Sequence, residues 1–392
     1  MPLQTDRPPM MLFRIVTSNH WNVLTKNFQG LETKITGHSG LQHISKLASR
    51  ITIGLLSAPK EKQIMDFSPA RYKTMIYNRA GRTGLKLPAI SIGLWQNFGA
   101  NDPFENQRQM LRTAFDLGIT NFDLADLYAR GAAEITVGKL LKTDFRDHRD
   151  ELIISTKAGC QMWDGPYGTR GSRKHMIAAL DQSLRRLQLD YVDIFYNHRP
   201  DPAEPLEETA EALADAVRQG KALYVAISNY FGEASRRMIS LLRESKTPCV
   251  INQVRFNMFD RMAETSGEFR ELEKDGVGSM LYSPLAQGLL SGRYLNGIPA
   301  DSRAGKPGAS FSADQISETL LTKVRSLNEI AAERGQSLAQ MALCWNLSFT
   351  SVTSVLIGAS HPEQITENVA ALEKPTFSED ELRRIEEVLA KP

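Results

Sequence analysis

An acid, a phenol, an amine and an imidazole fall at Asp123, Tyr128, Lys157 and His198. A phenol with its ordinary pKa near 10 is a reluctant proton donor at neutral pH. A neighbouring ammonium favours phenolate and lowers that value. A carboxylate beside the ammonium would keep it charged and oriented, and an imidazole could hold a substrate oxygen by hydrogen bond. Together the four could protonate an oxygen as it gains negative charge. Taken singly, each has a plainer reading: Asp or Lys as solvated rim, Tyr or His as packing. A rival chemistry uses Lys157 as a Schiff-base nucleophile on a carbonyl.

The elements that would position them begin near residue 76. Segments 76–77 and 86–88 flank the Gly-rich run 80–84 and read as a short hairpin. Short apolar runs then recur at 89–94, 119–123, 152–157, 191–197, 222–228, 250–254, 278–283 and 353–357. Between them lie helical patterns at 103–117, 134–141, 173–187, 206–219, 232–244, 264–274 and 316–334, with two more at 362–372 and 378–389. In the first of these, Met110, Leu111, Ala114 and Phe115 fall on one face. Strand–helix units in this number predict a parallel sheet covered by helices, and a closed (β/α)8 TIM barrel with an N-terminal β-hairpin fits best. An open doubly wound sheet is the alternative, but the first βα turn, at Gly93 to Trp95, lacks a Gly-x-Gly-x-x-Gly run. In a barrel the chemistry gathers where strands end and βα loops begin. Asp123, Lys157 and His198 fall at such ends, Tyr128 in the loop after Asp123, and Ser228, Asn229 and Gln253 at two later ends.

Composition excludes other classes. The chain has 392 residues, 42% hydrophobic and 23% charged, as folded domains do. With 47 Lys plus Arg against 45 Asp plus Glu, it lacks the basic excess of a nucleic-acid binder. Cys160, Cys249 and Cys344 are scattered, so neither a metal site nor a disulfide framework is expected, and a cytoplasmic setting fits. Apolar runs such as 354–358 are strand-sized, too short to span a membrane. Self-association is left open.

Residues 1–64 differ from the rest. They carry eight Lys/Arg and three acids, with no sustained period of two or 3.6. The preferred reading is a start assigned too far upstream, or a disordered tail, ahead of a transit peptide or an accessory segment. The barrel is expected over 75–392.

The runs Phe122-Asp-Leu-Ala-Asp-Leu-Tyr128, Ser155-Thr-Lys-Ala-Gly159 and Tyr196-Asn-His198 resemble the Asp/Tyr/Lys/His tetrad motifs of the aldo-keto reductase superfamily. Trp163 to Gly168 and the run Gly171-Ser-Arg-Lys174 are similar to the bacterial L-glyceraldehyde 3-phosphate reductase group, while Tyr128 to Glu134 and Arg199 to Pro202 are closer to the potassium-channel beta subunits of the same branch. In those subunits Asn usually stands at the position of His198, so the histidine favours catalysis. The resemblance implies reduction of a small aldehyde or ketone, such as glyceraldehyde 3-phosphate or methylglyoxal, by NADPH. The alternative it implies is a nucleotide-sensing, weakly catalytic subunit of a larger assembly.

Cofactor positions follow from the same resemblance. Trp95 and Asp123 match residues near the nicotinamide and its ribose; Ser228, Asn229 and Gln253 match those holding the carboxamide; Tyr282 matches the aromatic stacked on the ring. Ser283, Pro284, Leu285, Ala286 and Gly288 match the loop around the pyrophosphate, with Arg293, Ser302 and Arg303 nearby. Gly358, Ser360, Gln364, Glu367 and Asn368 match the adenosine end, where a helix start and the last βα loop would favour anions in any case. Two positions depart from the pattern. His361 stands where many relatives have an Arg against the 2′-phosphate, but the channel-like subgroup manages without that Arg, so the resemblance still implies NADP over NAD. Ala129 stands where Gly usually follows the Tyr, and is expected to be harmless.

Overall fold

The structure is a computed structural model that describes residues 66–300, 302–305 and 311–391. The segment 1–64, with its expected upstream start or disordered tail, lies outside the described residues.

An antiparallel hairpin comes first, β1 (Tyr77–Arg79) with β2 (Lys86–Pro88). Eight parallel strands follow: β3 (Ile90–Gly93), β4 (Asn121–Asp123), β5 (Ile153–Ala158), β6 (Val192–Asn197), β7 (Ala222–Ser228), β8 (Cys249–Arg255), β9 (Gly278–Tyr282) and β10 (Val352–Ile357). Because β10 pairs with both β9 and β3, the sheet closes into a barrel. The (β/α)8 expectation holds and the open sheet is excluded.

Alternation along each strand divides the core in two. In β6, Phe195 packs outward among helix residues, whereas Ile194 and Tyr196 join Met280, Leu356 and the hairpin's Leu85 and Leu87 in the lumen. The outer layer consists of α1 (Phe104–Asp116), α2 (Ala132–Lys142), α3 (Arg173–Leu187), α4 (Leu206–Arg218) and α5 (Gly232–Glu244) after β3 to β7 in turn. After β8 come α6 (Met262–Thr265) and α7 (Glu268–Asp275), after β9 α8 (Glu318–Glu333) and α9 (Leu338–Leu347), and after β10 α10 (Pro362–Val369) and α11 (Glu379–Ala390). The expected face of α1 is the buried one. Among the described residues no helix is long and apolar enough to cross a membrane.

Two elements differ from expectation. The single helix read over 264–274 is broken at Gly267, whose φ of +79° is left-handed, into α6 and α7. Helix α9 was not anticipated at all. Eight of its ten residues are buried, so it shows no polar face and no 3.6-residue alternation to detect. The legible signal was its start, where Ser337 and Gln340 cap each other's backbone N–H.

The hairpin closes the end of the barrel where the strands begin. Asn78 Nδ2 donates to the Thr353 carbonyl at 3.0 Å, and Arg82 N to the Gly276 carbonyl at 2.8 Å. This fit depends on Gly81, where φ is +53° and a Cβ would lie 2.0 Å from the Gly276 oxygen. Gly81→Ala is therefore expected to destabilise the fold by about 1–3 kcal/mol, read as a lowered urea midpoint; an unchanged midpoint would show that the hairpin does not seal the barrel.

Candidate active site

The opposite end of the barrel gathers the four predicted residues. Asp123 is paired in register with Ser155, and Lys157 with Tyr196. Ser155 and Lys157 lie two apart on β5 and share its inner face, while Thr156 turns outward to donate to Glu134 of α2 at 2.6 Å. Lys157 Nζ donates to Asp123 Oδ2, to the Leu124 carbonyl at 2.8 Å and to the Tyr128 hydroxyl at 3.2 Å. Asp123 also accepts from Ser155 Oγ and from Gln253 Nε2, both at 3.0 Å. Gln253 belongs to β8, across the lumen from β4. The His198 ring lies 6.1 Å from that of Tyr128, nearly perpendicular to it.

Burial governs the ionisation of this group. It pushes the Tyr128 phenol well above its ordinary range, with the Asp123 charge adding to the effect. It pushes the Lys157 amine down, against the pull of Asp123. The expectation that Lys157 would lower the Tyr128 pKa is thus not met in the protein alone: desolvation prevails, and the phenol keeps its proton. Burial, aided by the charges of Lys157 and Arg199, also lowers His198 to about 3. Its imidazole is neutral at physiological pH, and its Nδ1 has no partner among the described residues.

The residues matched to the nicotinamide end are tied to the same network. Ser228 Oγ donates to the Gln253 carbonyl at 2.9 Å, and Asn229 Nδ2 to the His198 carbonyl at 3.0 Å. The Tyr282 hydroxyl donates to Asn229 Oδ1 at 2.7 Å. Ser283, Ala286 and Gln287 have left-handed φ and Gly288 a φ of +99°, so residues 283–288 turn tightly. The Pro284 carbonyl accepts from Asn346 of α9, and the Leu285 carbonyl from Gly288 N. Arg303 donates to Gln287 and lies 5.7 Å over the ring of Trp95, which is 45% exposed. Ser302 is buried and donates to the Pro299 carbonyl, and Arg293 is half-buried in the same loop.

The residues matched to the adenosine end form a separate group beyond β10. Ser360 N and Oγ both donate to Gln364 Oε1, and the neighbouring Ala359 and Ser360 carbonyls accept from Asn97 and Asn106. Gly358 and Glu367 are exposed and Asn368 is buried. A cavity of about 540 Å³ also opens at the hairpin end, between residues 78–82 and 347–353, but none of the tetrad lines it.

Sequence reasoning passed over several groups. Ser155 and Tyr196 stand two residues before Lys157 and His198 on the same strand faces, and that spacing was the available signal. Asp126 lies in the β4 loop, wholly buried, with no partner for either oxygen among the described residues. Burial and the Glu134 charge raise it to about 8. Ala129, expected to be harmless, has φ of +46° and ψ of 36°, a conformation that a glycine adopts without strain.

The profile of the Aldo/keto reductase family matches residues 89–390. The chain belongs to the aldo/keto reductase family. It is accordingly an oxidoreductase acting on carbonyl groups. The L-glyceraldehyde 3-phosphate reductases of Escherichia coli K12 and O157:H7 are 54% and 53% identical to it over 328 residues, covering 82% of this chain and 95% of each relative. Two solved structures also match with TM-scores of 0.65. The thermostable aldo-keto reductase Tm1743, in complex with the inhibitor epalrestat, is 31% identical and covers 80% of this chain and 100% of its own. Aldo-keto reductase AKR11C1 from Bacillus halodurans, in its holo form, is 27% identical and covers 80% and 96%.

Two variants probe the loop after β4. Ala129→Gly is expected to raise stability by up to about 1 kcal/mol, strain relief outweighing the entropy of the freer unfolded chain; a lower urea midpoint would contradict it. Asp126 holds a proton in the folded state up to about pH 8, whereas an unfolded Asp loses it near pH 4. Its contribution to stability is therefore full below about pH 4 and is lost as pH rises toward 8. Asp126→Asn should gain on wild type across that window and keep a constant advantage above it. Urea midpoints near pH 5, 7 and 9 read this directly, and parallel curves would mean that the folded carboxyl is ionised throughout.

Proposed function

We propose that the chain reduces small aldehydes and ketones with NADPH, glyceraldehyde 3-phosphate and methylglyoxal among them, with Tyr128 as proton donor, in a cytoplasmic setting. One observation carries the reading: Lys157 Nζ lies between the Asp123 carboxylate and the Tyr128 hydroxyl, in a buried site beside a neutral imidazole.

The residues present suit a dinucleotide. Ser228, Asn229, Gln253 and Tyr282 offer amide and hydroxyl groups at one end. Residues 283–288 turn tightly through left-handed Ser283, Ala286 and Gln287 and would lie against the pyrophosphate. The positive end of α10, whose cap residue His361 makes no side-chain capping bond, adds a favourable field for an anion at the other end. A reduced nicotinamide held there would supply a hydride to the carbonyl carbon. Tyr128 passes its proton to the carbonyl oxygen, which as an alkoxide is a stronger base than phenolate, so a high phenol pKa does not oppose the transfer. Lys157 stabilises the phenolate left behind, and Asp123 fixes Lys157. His198, neutral, donates its one N–H to the substrate oxygen and orients it.

A second reading of the cofactor, NADH, is favoured by one contact. His361, where many relatives have an Arg, is 3.0 Å from the Glu363 carboxylate, which would repel a 2′-phosphate. Comparing kcat/KM for NADPH and NADH decides between them, and a preference for NADH would replace NADPH in the proposal.

The principal test is cofactor oxidation with a panel of small aldehydes. Tyr128→Phe is expected to lower turnover by about 10²–10⁴-fold while NADPH binding persists. Binding without turnover in the wild type would instead support the nucleotide-sensing subunit.

A further inference from the structure

His175 lies outside the tetrad, in the first turn of α3, and is completely buried. Ser172 caps that helix by accepting from the His175 N–H, so the side chain leaves α3 at a fixed point. Its Nδ1 is 3.0 Å from the Tyr167 carbonyl. A carbonyl only accepts, so Nδ1 carries the proton. Nε2 is left buried with no partner among the described residues, and burial lowers the imidazole pKa. The Trp163 ring lies on the imidazole, with centroids 4.9 Å apart and planes tilted by 38°. An apolar side chain could fill this space without stranding a buried nitrogen, which carries a cost. Packing alone does not account for a histidine here.

The Nδ1–H bond holds a segment that reaches the tetrad. Tyr167 and Trp163 belong to residues 159–172, the loop after β5. At its start, a Cβ on Gly159 would lie 3.1 Å from Asn197 Nδ2 and 3.8 Å from His198 Cβ. The His198 N–H donates to the adjoining Ala158 carbonyl at 2.8 Å. At its end, the Gly171 carbonyl accepts from Thr209 at 2.8 Å. In between the loop doubles back, with the Met162 N–H on the Gly168 carbonyl at 2.8 Å and the Arg170 N–H on the Gly159 carbonyl at 3.3 Å. Among the described residues, two hydrogen bonds reach 161–169 from outside the loop. One is from His175; the other is from the Arg130 guanidinium to the Met162 carbonyl at 3.1 Å. Arg130 stands two residues after Tyr128. The loop thus meets the backbone that carries His198 on one side and the backbone that carries Tyr128 on the other.

We propose that His175 is a positioning residue for carbonyl reduction: by anchoring the loop 159–172 to α3, it fixes the placement of His198 and Tyr128 against the substrate. The proposal rests on the reductase reading above. His175 touches neither of the two, and acts through Gly159 on one and through Met162 and Arg130 on the other.

The test compares the wild type with His175→Leu, which keeps apolar bulk and removes the donor, and His175→Asn, which returns an N–H near the place of Nδ1. For an aldehyde that the wild type reduces, His175→Leu should lower kcat/KM by about tenfold, mainly in kcat, because catalytic groups are displaced. The Kd for NADPH should be unchanged. Amide exchange at Met162 and Arg170 should quicken in His175→Leu, and His175→Asn should recover both rate and protection. Urea midpoints of the three proteins separate this from general destabilisation. An unchanged kcat in His175→Leu, equal losses in both variants, or losses that follow the urea midpoint alone would overturn the positioning role and leave the reductase reading standing. If the wild type reduces no aldehyde, the reductase reading fails and this proposal with it.

Discussion

The ion pair between Lys157 and Asp123 is the interaction on which the rest of the site depends. Both side chains are completely buried. Withdrawing an ammonium and a carboxylate from water costs several kcal/mol for each ion, and attraction offsets that only with favourable geometry and further hydrogen bonds. Those bonds come from the Leu124 carbonyl, Ser155, Tyr128 and Gln253. Strands β4, β5 and β8 must therefore keep their register, since a shift of one residue would turn Lys157 outward and leave Asp123 as an isolated buried charge. The same burial keeps the phenol protonated and the imidazole neutral. One desolvated pair thus sets the protonation of its neighbours and the rigidity of their frame.

The loops around this pair are built differently from the strands beneath them. Asn229, Ser283, Ala286 and Gln287 have left-handed backbones, as do Ala129 and Arg130 just after Tyr128. Side chains other than glycine enter that region at a cost of order 1–3 kcal/mol each. Side-chain bonds hold some of these turns from outside, including Asn257 to the Ser283 carbonyl and Asn346 to the Pro284 carbonyl. The clustering of such residues at the strand ends, with regular conformations in the barrel wall, separates the part that stores strain from the part that resists it.

Much of this was legible in the residues themselves. Apolar runs of strand length, helical spacing in segments such as 103–117, and polar residues at strand ends led to the barrel and to Asp123, Tyr128, Lys157 and His198. Local patterns fail where an interaction is not local. The bond from Gln253 to Asp123 spans 130 residues and leaves no trace in periodicity, so nothing in the sequence pattern tied the two residues together. Helix α9 escaped because uniform burial erases the alternation that marks a surface helix. The direction of the Tyr128 shift was misread because residue types disclose a nearby ammonium but not the extent of desolvation. Asp126 was invisible for the same reason: an acid in a loop is ordinarily solvated.

The Gln253 bond has a consequence for how the protein acquires activity. β4 and β8 stand diametrically opposed in the ring of eight strands. A partly assembled sheet, however native its local pairings, cannot satisfy Asp123 from across a lumen that does not yet exist. The buried network around Asp123 is thereby tied to completion of the ring, and misregistered closures carry an unsatisfied charge that separates them in energy from the native state. The candidate site serves as a checkpoint on its own scaffold.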